Sequence, residues 1–358
     1  MFHGIIILMK ILGIETSCDE TAASIVEDGE KIMSNVIVSQ IDIFAEYGGV
    51  IPEVAARSHL EVIMPVIDKA LSDAKCDWDD IDAIAVTHAP GLLGSLLIGT
   101  LAARTLAILH DKPLYAVHHL KSHVYANWLS GSETKPIFPL IALVISGGHT
   151  QILSMDKHNH FEIVGATHDD AVGECFDKVA KILGLPYPGG PSIAKAAEGG
   201  DGLPTGNPDK YKLPHPKVEG LDFSFSGLKT AVLRAVQKEV GVPISYPSHK
   251  LKELLNDQQI ADFAASFQKT AIDILCEKLA LALEMYPDTQ SVVIAGGVSA
   301  NKALRMALPE AYFPAPTLSG DNGAMVAAAA YYEIISGVEP TDPYSLNIYP
   351  RVSIEDML

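Results

Sequence analysis

Short apolar runs and longer apolar stretches with helical spacing alternate along this chain. The short runs end at polar or glycine-rich turns, which is typical of strands, and the first two cover residues 10–16 and 22–27. Apolar residues recur at helical spacing over 52–74, and a mostly apolar helix is predicted over 92–109. Strands that alternate with helices of this length predict an α/β fold.

The opening pattern returns in the middle of the chain. A polar break at 130–136 precedes a predicted strand at 140–145, a glycine turn and a second strand at 151–155. Two strand–turn–strand units about 130 residues apart predict a duplicated architecture. We place the boundary between its two halves at the polar break.

Several predicted strands end in turns that favour ligand binding, because ligands of open α/β sheets collect at the carboxyl ends of strands. Glycine turns such as 146–150 and 187–192 can also present backbone N–H groups to an anion. A single glycine pair usually forms only a turn, but several in one α/β chain favour a nucleotide site. The strand-end turns lie at 17–20, 88–95, 146–150 and 296–301.

A histidine pair is the first candidate for metal chemistry. His119 and His123 are four positions apart, so both imidazoles share one face of the helix predicted around them. This is ligand spacing for a transition metal, although on spacing alone a buried pair without a metal is the simpler reading in a chain with 13 histidines. Asp321 precedes a small-residue helix and is predicted to be its N-cap, with metal ligation as the alternative.

Charge limits the partners that the chain can bind directly. The formal net charge is −18, with 44 acidic and 26 basic residues, which argues against a general nucleic-acid coat. Residues 208–252 are the exception, with eight Lys and Arg against four Asp and Glu. Within this segment Phe223 and Phe225 alternate with serines, and we predict that they pack in the core rather than stack on bases.

The cysteines and the apolar runs indicate a cytoplasmic protein without a membrane anchor. The four cysteines have no C-x-x-C spacing, so they are interpreted as reduced thiols. No early apolar run approaches the roughly 20 residues of a membrane span. Residues 5–8 lack the flanks of a signal peptide, and we interpret 1–8 as an extension.

Taken together, a run of motifs resembles, in order, the tRNA adenosine threonylcarbamoyltransferase family, also known as TsaD or Gcp. The resemblance covers residues 9–335, and the segment around 221–230 resembles the bacterial branch of the family. The motifs are GIETSCDET, GGVIPEVAARSHL, HAPGLLGSLLIG, HHLKSH, LVISGGHTQI, GECFDKVAK, YPGGP, LDFSFSGLKTA, IAGGVSANKALR and DNGAM.

The resemblance implies both a fold and a reaction. The family has the actin-like (ASKHA) fold, a duplicated α/β architecture with a nucleotide cleft between two lobes. The threonylcarbamoyl group of threonylcarbamoyl-adenylate is transferred to N6 of the adenosine 3′ of the anticodon, in tRNAs that read codons starting with A, and AMP leaves. The expected division is 9–133 plus 322–346 for lobe I, 134–321 for lobe II, and 347–358 for a tail.

The family's functional positions fall on residues of this chain. The resemblance implies a divalent metal, iron first and zinc as the alternative, held by His119, His123 and Asp321. Asp19 and Glu20 match an acidic turn that accepts or orients the proton of the attacking amine. The contacts to the adenylate, or to ATP itself, fall on Val144, Ile145, Ser146, Gly147, Gly148, Asp177, Gly190 and Asn301.

The resemblance also implies partners, and the chain departs from the family in places. The expected partners are tRNA, a paralogous actin-like subunit and a small ATPase. Only 20 positions separate Asn301 from Asp321, fewer than is usual, so the position of Asp321 is in question. Ser319 replaces a usual cysteine, and Pro-His-Pro at 214–216 replaces Pro-Arg-Pro.

Three other readings stay open at this point. An actin-like acyl or sugar kinase would hold Mg²⁺ through oxygen ligands, which the histidine pair disfavours. A non-catalytic scaffold paralogue would lack the H-x-x-x-H pair that this chain has. A metalloprotease would need H-E-x-x-H, whereas residues 119–123 read His-Leu-Lys-Ser-His.

Overall fold

Two β-sheets, each covered by helices, organise the molecule in this computed structural model, which describes residues 8–129, 134–200 and 202–357. The first sheet has five strands in the order β3-β2-β1-β4-β5. β2 pairs antiparallel with both of its neighbours, whereas β1, β4 and β5 run parallel. The strands are β1 Lys10–Glu15, β2 Glu20–Glu27, β3 Lys31–Ser39, β4 Ala83–Ala89 and β5 Leu114–His118.

The second sheet repeats this arrangement with one strand fewer. Its four strands have the order β8-β7-β6-β9, with antiparallel pairs among the first three and a parallel pair at the end. An antiparallel meander followed by a parallel strand thus occurs twice, which confirms the predicted α/β class and its duplication. The strands are β6 Leu140–Ile145, β7 Thr150–Met155, β8 Glu162–Ala166 and β9 Ser291–Ala295.

Helices cover both faces of each sheet, and α4 lies against the inner face of the second sheet. In the first half, α2 and α3 pack on the face that presents Leu12 and Ile14, and α10 packs on the other face. In the second half, α5, α7 and α8 share one core with β6. The helices are α1 Ile41–Tyr47, α2 Pro52–Ala74, α3 Leu93–Leu109, α4 His119–Tyr125, α5 Val172–Leu183, α6 Gly189–Ala197, α7 Ser226–Glu239, α8 Asp257–Met285, α9 Lys302–Ala307 and α10 Gly323–Ile335.

Helix α10 lies almost in contact with the backbone of β1. Its sequence is rich in alanine, so no long side chain separates the two elements. A Cβ on Gly13 would lie only 2.6 Å from the amide nitrogen of Ala327. A glycine at position 13 is therefore required for this approach. The same core layer contains Val117 and Val144, one from each sheet, so α10 and α4 belong to the layer between the two halves.

Most of the predicted elements are present, and the differences lie at the edges. The predicted bounds of α2 and β6 agree with the structure, whereas the edge strands β3 and β8 were not predicted. The predicted tail makes contacts with the body of the protein, because the Ile354 side chain is only 1% exposed and the Tyr349 amide donates to the His88 carbonyl. None of the helices in the described part of the chain has the length and apolarity that a membrane crossing requires. Residues 1–7 of the predicted extension lie outside the described residues.

Candidate metal centre and nucleotide cleft

The histidine pair lies where the chain turns from β5 into α4. His118 ends the strand and caps the helix, since its Nδ1 accepts a hydrogen bond from the Leu120 amide at 3.2 Å. His119 and His123 follow on one face of α4, with ring centroids 4.6 Å apart. Both side chains are buried. The spacing of the two residues therefore produces the convergence that it predicted.

Asp321 completes a cluster with the two histidines. Its Oδ1 lies 3.1 Å from Nε2 of His123 and 3.6 Å from Nε2 of His119. One ligand atom from each of the three residues lies within 4.8 Å of the others. The short connection from Asn301 to Asp321 thus leaves the carboxylate beside the histidine pair.

The predicted N-cap of α10 is wrong by one residue. Asn322, rather than Asp321, caps the helix, because its Oδ1 accepts a hydrogen bond from the Met325 amide at 3.0 Å. The Asn322 amide group also donates to the Gly320 carbonyl at 2.8 Å. Capping by Asn322 leaves the Asp321 carboxylate free to face the histidines.

Arg305 on α9 holds the short connection in place. Its guanidinium donates to the carbonyl oxygens of Ser299 and Pro314 at 2.8 and 2.7 Å. A third hydrogen bond reaches the Ser319 hydroxyl at 3.2 Å, at the position where the family usually has cysteine. One side chain thereby joins both ends of the segment that leads to Asp321.

Glu15, which the sequence analysis did not select, orients His119. The Oε2 atom of Glu15 lies 3.1 Å from Nδ1 of His119 and accepts the Thr87 hydroxyl at 2.6 Å. Although burial opposes ionisation of Glu15, the neighbouring His119 and these hydrogen bonds hold the pKa of the carboxyl below its ordinary value. A carboxylate behind a ligating histidine fixes the ring and its tautomer. The signal in the sequence was a charged residue at the end of an otherwise apolar strand.

The residues present fit a divalent metal. Nε2 of His123 faces the Asp321 carboxylate at 3.1 Å without a well-aligned hydrogen bond, and its buried Nδ1 has no hydrogen-bond partner among the described residues. Buried polar atoms are nearly always paired, so a bound ion would satisfy an otherwise unexplained group. Two imidazoles and one carboxylate suit iron(II) or zinc and leave coordination positions open. Without a metal, burial lowers the pKa of His119 but the carboxylates of Asp321 and Glu15 raise it to about 9.

The acidic turn between β1 and β2 faces the same centre. Asp19 is buried, and the Glu20 carboxylate accepts a hydrogen bond from the Ser39 hydroxyl at 3.1 Å. Burial, followed by the negative charges of Asp321 and Asp19, raises the pKa of Glu20 to about 10. Glu20 is therefore protonated at neutral pH in the metal-free protein.

The glycine turn after β6 approaches the centre from the second sheet. Ser146 Oγ accepts hydrogen bonds from the backbone amides of Gly148 and His149 at 3.3 and 3.1 Å. Gly147 and Gly148 are exposed, and a Cβ on either would meet nothing within 4 Å, so their backbone is open to a ligand. Burial and the nearby His119 and His123 lower the pKa of His149 to about 4. His149 was also missed, although it lies within a predicted strand-end turn. Val144 and Ile145 are buried in β6.

Asp177 and Gly190 meet at the start of α6. The Asp177 carboxylate accepts the Gly189 amide at 2.6 Å, and burial raises the pKa of this carboxyl. A Cβ on Gly190 would meet nothing within 4 Å. Asn301 is tied elsewhere, since it caps α9 and donates to Gln268 Oε1 on α8 at 2.9 Å. The structure thus joins Asp177 to Gly189, the neighbour of Gly190, whereas the contacts given for Asn301 lie within the second half.

The remaining sequence predictions concern side chains outside the cleft. Phe223 and Phe225 are buried, which confirms that they pack in the core. All four cysteines are free, as reduced thiols would be. Burial and the charge of Asp19 raise the pKa of the Cys18 thiol, which disfavours its thiolate form.

A duplicated two-sheet α/β fold with a His-His-Asp cluster between its halves belongs to the actin-like fold class. The comparisons with known proteins give its family. The family described as TsaD, tRNA N6-adenosine threonylcarbamoyltransferase, matches residues 31–328, and the chain belongs to this family.

Curated relatives support the assignment over nearly the whole chain. The tRNA N6-adenosine threonylcarbamoyltransferase of Symbiobacterium thermophilum is 50% identical over 353 residues, covering 96% of each chain. Its namesake from Thermomicrobium roseum is 48% identical and covers 92% of this chain and 93% of its own.

Solved structures with low sequence identity also align with the chain. Component A of (R)-2-hydroxyglutaryl-CoA dehydratase from Acidaminococcus fermentans aligns with a TM-score of 0.49 at 17% identity, over 92% of this chain and 99% of its own. YeaZ from Pseudomonas aeruginosa aligns with a TM-score of 0.28 at 18% identity, over 43% of this chain and 65% of its own.

Proposed function

We propose that this chain transfers the threonylcarbamoyl group of threonylcarbamoyl-adenylate to N6 of the adenosine 3′ of the anticodon, in tRNAs that read codons starting with A, and that AMP leaves. Family membership gives the class of activity, a tRNA threonylcarbamoyltransferase. The observation that supports a metal-dependent reaction is the His119–His123–Asp321 cluster, in which one ligand atom from each residue lies within 4.8 Å of the others. Neither a kinase nor a scaffold is favoured, because the curated relatives carry the transferase name.

The metal would be held by the two imidazoles and the Asp321 carboxylate. When bound, it supplies a Lewis acid that polarises oxygens of the acyl donor. Iron(II) is our first assignment and zinc the alternative, since this donor set suits both. Glu15 keeps Nδ1 of His119 engaged, which leaves Nε2 directed at the metal position.

The adenylate would lie between the two sheets. The exposed backbone of Gly147 and Gly148 leaves room for its phosphate, next to Ser146 and the buried strand end formed by Val144 and Ile145. Asp177 would accept hydrogen bonds from the ribose hydroxyls, next to Gly190. Asn301 would lie near the base. ATP shares these adenosine and phosphate groups, so the same contacts would bind it.

The acidic turn would accept or orient the proton of the attacking amine. N6 forms a bond to the carbamoyl carbon, the bond from that carbon to the phosphate oxygen breaks, and AMP takes the electron pair. We assign acceptance or orientation of the N6 proton to the two carboxylates of this turn, Asp19 and Glu20.

Exposed apolar side chains support a partner subunit. Helices α2 and α3 leave a face of large apolar residues exposed, which is typical of a protein interface. We assign this face to the paralogous actin-like subunit, because a paralogue would present a matching pair of helices. The small ATPase and tRNA complete the assembly, with the basic segment 208–252 nearest to the tRNA backbone. The exposed residues are Leu60, Met64, Leu93, Leu97 and Leu101.

We place the reaction in the cytoplasm, where tRNA is modified, and we propose a lobe division that follows the sheets. Lobe I would comprise 9–133 with 322–346, and lobe II 134–321. The first set contains β1–β5 and α10, and the second contains β6–β9. Residues 347–357 pack onto lobe I and add to it, as the Tyr349–His88 hydrogen bond illustrates.

Nucleoside analysis of tRNA by mass spectrometry tests this function. Cells would carry this chain as their only copy, either wild type or with His119→Ala and His123→Ala together. We expect threonylcarbamoyladenosine with the wild type and none with the double variant. His110→Ala with His160→Ala is the matched control, since His110 stacks on Trp78, His160 pairs with the exposed Asp156, and neither is assigned to the site. A wild type that makes no product although its partners are supplied would overturn the proposal.

A further inference from the structure

Two helices of the first half converge on one carbonyl group of the acidic turn. The Cys18 carbonyl oxygen lies 3.0 Å from Nε2 of His59 on α2. The same oxygen accepts the hydroxyl of Ser95 on α3 at 3.2 Å. Cys18 immediately precedes Asp19 and Glu20, so two separate helices fix the peptide that leads into the proposed proton-handling pair.

His59 also holds the other end of this turn. Its Nδ1 lies 2.7 Å from the Thr21 hydroxyl, and the ring is fully buried. A carbonyl oxygen can only accept, so Nε2 carries the proton and Nδ1 accepts from Thr21. Burial lowers the pKa of His59, in keeping with this neutral form. One imidazole therefore joins Cys18 to Thr21 and brackets Asp19 and Glu20.

The packing of the two helices sets the position of both donors. A Cβ on Gly94 would lie 2.9 Å from the Ala56 Cβ, so α2 and α3 meet closely one turn from His59 and beside Ser95. A third contact also fixes the turn: the backbone N–H of Gln40 donates to the Asp19 carbonyl at 3.0 Å. These contacts fix the backbone of the acidic turn, and the residues that make them have no role in the function proposed above.

We propose that His59 is a positioning residue for the transfer reaction, which holds the Asp19–Glu20 turn against the metal centre through the Cys18 carbonyl. This inference rests on the proposed function, since it needs Asp19 and Glu20 to act on the amine. A histidine that only stabilises the core would affect unfolding, whereas a positioning histidine affects turnover while the donor and the metal still bind.

Three substitutions at position 59 distinguish the contributions of the two ring nitrogens. A glutamine places its amide nitrogen near the position of Nε2 and keeps the donor to Cys18. An asparagine reaches only the position of Nδ1 and keeps only the contact to Thr21. A leucine keeps neither. The experiment measures kcat, KM for the adenylate, metal content and Tm, using the full chain assembled with its partners, unmodified tRNA and synthetic threonylcarbamoyl-adenylate.

We expect His59→Asn and His59→Leu to lower kcat at least about tenfold, because small displacements of reacting groups cost rates of this size or more. KM for the adenylate and metal content should stay near wild type, and His59→Gln should recover most of kcat. Ser95→Ala removes the second donor to the same carbonyl and should lower kcat in the same direction. It also keeps the inference testable if a substitution at position 59 prevents folding.

The controls distinguish the possible failures. His110→Gln changes a histidine that stacks on Trp78 at the far end of α3 and should leave kcat unchanged. Wild-type kcat in His59→Asn, or equal losses in the Gln and Asn variants that follow Tm, would overturn the positioning role while the transferase function stands. No product from the wild-type assembly would overturn the function itself, and this inference with it.

Discussion

The Oε2 atom of Glu15 lies 3.1 Å from Nδ1 of His119, at the point where β1 ends beside the start of α4. This contact directs the opposite ring nitrogen of His119 toward Asp321. Glu15, the last residue of the first strand, therefore orients the ring of His119, a proposed metal ligand more than one hundred positions later in the chain.

Glu15→Gln should weaken metal binding by about 10–100-fold, the usual effect of removing the carboxylate behind a ligating histidine. The amide keeps the size of the side chain but loses the charge that favours the correct tautomer of His119. Competition with a chromophoric chelator measures the affinity. Glu198→Gln, an exposed surface change, is the control, and an unchanged affinity in Glu15→Gln would contradict the assignment.

The neighbours Asp321 and Asn322 should separate metal binding from helix stability. Asp321→Asn removes a ligand and should lower metal affinity at least about tenfold, in the range seen when support of a metal site is lost. Asn322→Ala removes the N-cap of α10 and should cost about 1 kcal/mol of unfolding free energy. Urea unfolding of the metal-free protein and metal titration of each variant are the measurements. The reverse assignment of the two effects would show that our choice of cap is wrong.

Arg305→Ala should loosen the connection to Asp321. The change leaves the Ser299 and Pro314 carbonyls without their donor, and hydrogen bonds from a charged group are worth about 2 kcal/mol each. We expect a loss of stability of that order together with weaker metal binding. Lys302→Ala, an exposed change on the same helix, is the control. Intact metal affinity in Arg305→Ala would mean that the connection holds its shape without the arginine.

Glu20 should make the metal-free protein less stable as pH rises. Its folded pKa is about 10, above the ordinary 4.5, so folding favours the protonated form. Stability from this group is fully present below the unfolded pKa and is lost as pH rises toward the folded pKa. Glu20→Gln should therefore gain stability over wild type, by more than about 1 kcal/mol between about pH 5 and pH 8. Urea unfolding across this range measures the gain, and parallel curves for the two proteins would refute it.

Helices and strands with strong periodicity could be predicted from the sequence, whereas the edge strands of the two sheets could not. Helix α2 has a proline at its first position and regular apolar spacing, so its bounds could be predicted from the sequence. The edge strands β3 and β8 have mixed burial without clean alternation, which leaves little signal for a strand.

The candidate site divides in the same way. The histidine pair could be predicted because both residues lie on one short helix, so that their spacing in the sequence fixes their relative position. The roles of Glu15 and Arg305 depend on contacts between distant segments, for which spacing carries no information. The choice between Asp321 and Asn322 as helix cap was equally hidden, because either side chain can cap and only packing against the histidines decides.

The close contact of Gly13 with α10 has a consequence for the order in which the protein matures. Strand β1 and the histidines of α4 leave the ribosome early, but Asp321 and the helix that packs on Gly13 are made near the end of the chain. A nascent or truncated chain that stops before α10 contains both imidazoles and lacks the third ligand. The full set of proposed ligands therefore exists only after nearly complete synthesis, when the first strand and α10 have met.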